Sequence, residues 1–148
     1  MSFTAIAIII ARLYILTAPT ANCSWYGKEF HGGITTSGLT YNMYEWTCAS
    51  TEIPMGSILW CYSEDTNIWC YVRITDGGPY AVDSEGNPIY PLKKHPTRQL
   101  DLAALPFFFL SGGRLWQGTQ HIRYRVIDRD ITGMPYPGSR EVEILNTW

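Results

Sequence analysis

Ile68-Trp69-Cys70-Tyr71-Val72-Arg73-Ile74-Thr75-Asp76-Gly77-Gly78-Pro79 is the stretch on which the reading of this chain turns. Its first eight residues are dominated by β-branched and aromatic types and contain no Gly or Pro, the composition of a strand. Gly77-Gly78-Pro79 stops that strand, so the Asp76 side chain emerges where the chain turns sharply. Upstream, Ser57 to Tyr62 is a second strand-like run, and Glu64-Asp65-Thr66-Asn67 between the two is a turn signal. A hairpin loop centred on Asp65 and Thr66 sets Cys61 opposite Cys70. The same register places Leu59, Cys61, Ile68, Cys70, Val72 and Ile74 on one face, and Trp60, Tyr62, Trp69, Tyr71 and Arg73 on the other. Trp60 then lies across from Tyr71, and Tyr62 across from Trp69. Two uses of this aromatic ladder stand open: a face covered by a second sheet layer or by the late C-terminal segment, or a solvent-facing platform on which sugar rings stack.

Further strand signals lie around Ser24 to Tyr26, Tyr44 to Ala49 and His121 to Ile127, with a late one at Glu141 to Leu145. Gly and Pro punctuate the gaps, as in a small β-barrel or sandwich. A short helix is expected from Leu100 to Leu110, with Pro106 tolerated in its first turn. Asp101 precedes that apolar run and reads as its N-cap, a structural role. A two-carboxylate glycosidase would instead need Asp76 and Asp101 roughly 5 to 9.5 Å apart across a cleft. The four cysteines form no CxxC pair, which removes a zinc ribbon. A cross-strand Cys61–Cys70 disulfide is reachable, which leaves Cys23 with Cys48, and such bridges require an oxidising compartment. His31, His95 and His121 have no metal-ligand spacing, so neither a metal nor a cofactor is expected.

That compartment agrees with the N-terminus. Residues Phe3 to Ala18 are almost wholly apolar, with Arg12 as the lone charge, and residues 1–21 read as a secretory signal peptide. The run is too short for a membrane span. Thr20-Ala21-Asn22 before Cys23 fits a bacterial lipobox poorly, which argues against a lipid anchor. Over all 148 residues, 11 Lys and Arg face 13 Asp and Glu for a net charge of -2, so no cationic surface exists for a nucleic-acid backbone. The length fits one domain, expected as a monomer over residues 22–127 with an extension at 128–148. Six Trp, ten Tyr and five Phe exceed what one small core needs, and sugar is the first candidate for the surplus.

Several ordered motifs carry a family resemblance. Ser24-Trp25-Tyr26-Gly27, Phe30-His31-Gly32 and Thr36-Ser37-Gly38 resemble the opening of the rare lipoprotein A family. Ile53-Pro54-Met55-Gly56 resembles its "LPFG" turn, Val72 to Pro79 its "VRINDRGP", and Leu100-Asp101-Leu102-Ala103 its "IDLS". The resemblance implies a mainly β fold, a six-stranded double-psi β-barrel with one or two short helices. It further implies a secreted, periplasmic or extracellular protein that cleaves or binds peptidoglycan glycan strands, some members being lytic transglycosylases. The alternative it leaves is a non-catalytic, expansin-like or lectin-like module that binds wall polysaccharide. Asp76 matches the acidic position and would serve as sole acid and base, protonating the glycosidic oxygen and then deprotonating a C6 hydroxyl. Where active members carry a Glu and a His, this chain has Leu39 and Ser50. Ser50 is left to hydrogen-bond a substrate hydroxyl, with Tyr26, Arg73, Trp60, Trp69 and Tyr71 as further substrate contacts. The insertion from Val82 to Thr97 lies outside the family pattern.

Overall fold

The computed structural model describes residues 1–128. Six strands close into a barrel: β1 (Thr20–Tyr26), β2 (Thr47–Ser50), β3 (Ile58–Ser63), β4 (Ile68–Asp76), β5 (Leu100–Ala103) and β6 (Thr119–Asp128). Their order around the barrel is β1-β5-β2-β4-β3-β6. Two of the pairings, β1 with β5 and β2 with β4, are parallel, and the rest are antiparallel. Closure leaves no free sheet edge among the described strands. The expected double-psi β-barrel is therefore the observed architecture.

The β3–β4 hairpin has the register read from the sequence, with Cys61 opposite Cys70, Trp60 opposite Tyr71 and Tyr62 opposite Trp69. Asn67 closes its turn in the left-handed region at φ 57°, a conformation that Asn tolerates better than most residues. Inward-pointing Leu59, Cys61, Cys70, Val72 and Ile74 join Cys23, Cys48, Leu100 and Leu102 in one core, closed at one end by Leu105, Phe107 and Leu110. All four cysteines sit in that core as free thiols. The expected Cys61–Cys70 and Cys23–Cys48 disulfides are thus absent from this structure, although the register that made the first reachable is correct. Burial raises the pKa of all four thiols, that of Cys61 to about 12, and these sulfurs pack as small apolar groups.

Two other expectations are corrected. The segment foreseen as one helix from Leu100 to Leu110 divides: Leu100–Ala103 is β5, and only Ala104–Leu110 forms the helix α2. Leu100 and Leu102 fill the core from a strand paired on both sides, and that pairing outweighs their local helix preference. Asp101 therefore does not cap the helix; Ala103 occupies that position without a side-chain cap. At the N-terminus, β1 begins at Thr20, and Ala21 is buried. The expected strand at Glu141 to Leu145, like the rest of the extension beyond Asp128, lies outside the described residues.

Phe3–Leu16 forms helix α1, capped by Ser2 and without a buried residue of its own. It lies beside the aromatic ladder, where the Tyr14 ring is 5.4 Å from that of Trp60 and the Arg125 guanidinium sits over Tyr14 at 4.3 Å. Among the described residues, neither a second sheet layer nor a C-terminal strand covers the ladder. No described helix is long and apolar enough to cross a membrane.

Candidate active site

The end of β4 delivers Asp76 to the rim of a groove of about 440 Å³. The loop before β2 is fastened to that strand end: Ser37 N–H donates to the Thr75 carbonyl at 3.2 Å. Thr36 donates to Asp76 Oδ1 twice, from its N–H at 2.9 Å and its hydroxyl at 2.7 Å, and Gly77 N–H adds a third bond at 2.8 Å. Three donors on one oxygen fix the orientation of this carboxyl. Gly77 is required by space: a Cβ there would stand 2.6 Å from Tyr80 Oη and 3.4 Å from Thr36 Oγ1.

Asp101, assigned a structural role from sequence, enters the same groove. Its side chain is four-fifths buried, and Ser24 Oγ donates to its Oδ1. Arg98 reaches the pair from above, with Nη1 donating to Ser24 Oγ at 2.6 Å and lying 3.7 Å from Asp101 Oδ1. His95 Nδ1 accepts from the N–H groups of Thr97 and Arg98 at 3.2 and 3.1 Å, holding the turn that aims Arg98. Burial raises the Asp101 pKa above the ordinary carboxylate value, a rise opposed by the Ser24 hydrogen bond, Arg98 and His95 and reinforced by Asp76.

Tyr26 and Tyr41 floor the groove as a stacked pair, with ring centroids 4.3 Å apart and planes within 19°. Burial raises both phenol pKa values, so both hydroxyls are neutral, and that of Tyr41 donates to the Tyr26 carbonyl at 2.8 Å. The insertion from Val82 to Thr97 supplies part of the lining. It folds back on itself through Asp83 N–H to Asn87 O, bonds to Ala81 just before it through Lys93 O and Ile89 N–H, and is tied to the turn after β2 by a Lys94–Glu52 ion pair. Val82, Gly86 and Pro88 thereby line the groove beside Asp76.

Other expected contacts lie elsewhere. Ser50 is buried, and its Oγ accepts from the N–H groups of Glu52 and Ile53, closing the turn after β2. Ser50 thus has its acceptor positions turned to backbone and lies outside the groove lining. Leu39 is exposed outside the groove lining. Trp60, Trp69, Tyr71 and Arg73 point outward from β3 and β4, away from Asp76. Trp60 and Trp69 instead border a separate cleft against α1. There Trp60 stacks on Tyr62, with planes within 11°, and Trp69 is half exposed. His31 Nδ1 accepts from Met43 N–H at 3.2 Å. Among the described residues no His, Cys, Asp and Glu cluster could hold a metal ion. Thr36, Ser24 and Arg98 escaped the sequence reading because their roles depend on partners 40 to 77 positions away.

The chain is 31% identical over 121 residues to the endolytic peptidoglycan transglycosylase RlpA of Vibrio cholerae, covering 82% of this chain and 40% of that protein. It is 37% identical over 79 residues to the protein of that name from Helicobacter pylori, covering 53% and 24%, and 29% identical over 126 residues to that from Neisseria meningitidis, covering 85% and 45%. The chain thus spans less than half the length of these curated relatives. No protein-family model matches it. Among solved structures, cerato-platanin 3 from M. perniciosa superposes with a TM-score of 0.52 at 9% identity, over 75% of this chain and 96% of that one, a likeness of fold alone.

Proposed function

We infer that this chain, an RlpA-like double-psi β-barrel, acts outside the cytoplasm on the glycan strands of peptidoglycan, cleaving them in the Asp76 groove. The observation that carries the reading is a carboxyl fixed by Thr36 and Gly77 at the mouth of a groove floored by stacked tyrosines. Sugar rings lie against aromatic faces, which would bring a glycosidic bond beside Asp76. A lytic transglycosylase needs no added nucleophile: the C6 hydroxyl of the muramic sugar attacks its own C1, and a carboxyl handles the proton. Sequence similarity to proteins named endolytic peptidoglycan transglycosylases supports this choice of substrate and reaction. The full chain, incubated with purified sacculi, is expected to release fragments ending in 1,6-anhydro-N-acetylmuramic acid. Asp76→Asn should lower that release by about a hundredfold or more. Folded protein that releases no anhydro product would overturn the enzymatic reading.

A second reading is favoured by one observation, the Trp60–Tyr62 stack with half-exposed Trp69 beside it. It makes the chain a polysaccharide-binding module that uses its outer aromatic face. Sacculus pull-down would then survive Asp76→Asn and be lost in Trp60→Ala/Trp69→Ala. If the double Trp variant binds as the parent does, the ladder serves packing alone.

A further inference from the structure

Strand pairing sets four residues in one row across the barrel: Ser24 of β1 opposite Asp101 of β5, Asp101 opposite Ala49 of β2, and Ala49 opposite Asp76 of β4. Adjacent strands are about 4.8 Å apart, so the Asp76 and Asp101 backbones stand two spacings, about 10 Å, from each other. Only the methyl group of Ala49 lies between them, and all three residues line the same groove. We propose that Asp101 is the proton donor to the glycosidic oxygen and that Asp76, across the Ala49 gap, takes the proton of the attacking hydroxyl. This assignment rests on the transglycosylase reading above and divides between two carboxyls what that reading leaves to one.

The surroundings of Asp101 suit a group that carries a proton. Burial disfavours its charged form, and the negative partner Asp76 adds to that effect. The other ionisable groups acting on or influenced by it are Arg98, His95, Tyr26, Tyr41, Cys23 and Cys48. The tyrosines and thiols have raised pKa values and stay neutral, and the His95 pKa is lowered by burial and by Arg98. Arg98 is therefore the main positive charge available to stabilise the Asp101 carboxylate once the proton has left.

The step balances without any added reagent. The Asp101 proton passes to the glycosidic oxygen as the C1–O bond breaks and its electron pair moves to that oxygen. The C6 oxygen bonds to C1, closing the anhydro ring, and the C6 hydroxyl proton moves to the Asp76 carboxylate. Exchange with water then restores both carboxyls.

Leaving-group dependence separates the two roles, because a leaving group that needs no proton bypasses the acid and leaves the base essential. Two substrates serve: sacculi, and a 4-nitrophenyl β-glycoside of N-acetylglucosaminyl-N-acetylmuramic acid. Asp101→Asn is expected to lose about a hundredfold or more on sacculi and less than about tenfold on the aryl glycoside. Asp76→Asn should lose heavily on both. Sacculus binding and thermal unfolding at neutral pH confirm that the Asp101 variant is folded. The assignment is overturned if Asp101→Asn keeps parental activity on sacculi, or if it fails equally on both substrates, as a purely structural residue would. A parent chain inactive on both substrates would sink the transglycosylase reading itself, and the assignment with it.

Discussion

At Asp101, burial raises the cost of the charged carboxylate in the folded protein but not in the unfolded chain, where the group faces water. A folded pKa above the unfolded one means that the associated stability is complete at pH below the unfolded carboxylate pKa of about 3.9 and is lost as pH rises through the folded value. Asp101→Asn removes that loss. The variant should therefore unfold at a higher temperature than the parent near pH 7, and the gap should narrow as pH falls toward 3; calorimetry across this range checks it. Gly77 makes a steric prediction at the same scale. An added Cβ would press on Tyr80 Oη and crowd the Thr36 hydroxyl that holds Asp76. Gly77→Ala should leave the barrel folded but cost roughly a hundredfold in glycan release if the carboxyl moves by about 1 Å. Asp76 was legible from sequence because a strand followed by Gly-Gly-Pro exposes its last side chain. Asp101 was misread as a helix cap because β5 exists only through pairing with β1 and β2, partners tens of residues away.

Among the elements, the β3–β4 hairpin was the most readable, since a turn signal between two alternating runs fixes register, and register sorts every side chain in between. Its limit was chemical: facing cysteines in the right register permit a disulfide but do not form one. With all four thiols buried and their pKa values raised, native protein should resist alkylation by iodoacetamide at pH 8. Unfolding in guanidinium without reductant should then label all four, as counted by mass spectrometry. A mass shift for only two, or none, would establish bridges that this structure lacks. The aromatic face of the same hairpin was sorted correctly, but what lies against it was not foreseen. The expected covers were a second layer or a late strand, whereas α1 borders that face through Tyr14 and leaves Trp69 half exposed.

Across the whole molecule, closure of the barrel depends on β1 pairing with both β5 and β6, and α1 contributes no buried residue to it. A chain lacking residues 1–17 should keep the β-barrel part of its far-ultraviolet dichroism, lose the helical contribution of α1, and lose the Tyr14–Trp60 contact. Acrylamide should then quench Trp fluorescence more readily than in the full chain. The fold class was legible because ordered motifs are spread over most of the described barrel, each with its own strand or turn signature. The groove was only half legible. Its Asp76 position follows from local sequence, but part of its lining is the 82–97 insertion, whose backbone folds on itself and whose anchor, Lys94 to Glu52, joins positions far apart in the chain.

The row Ser24, Asp101, Ala49, Asp76 has a last consequence. The separation of the two acids' backbones is set by pairing between strands, much as rungs fix the width of a ladder, while the loops aim the carboxyls. Loops around the rim can lengthen, shorten or change composition without altering that gauge. New polymers could be admitted by remodelling the rim while that backbone spacing stays constant, and Ala49, with its single methyl group, is the position at which a larger side chain would close the gap.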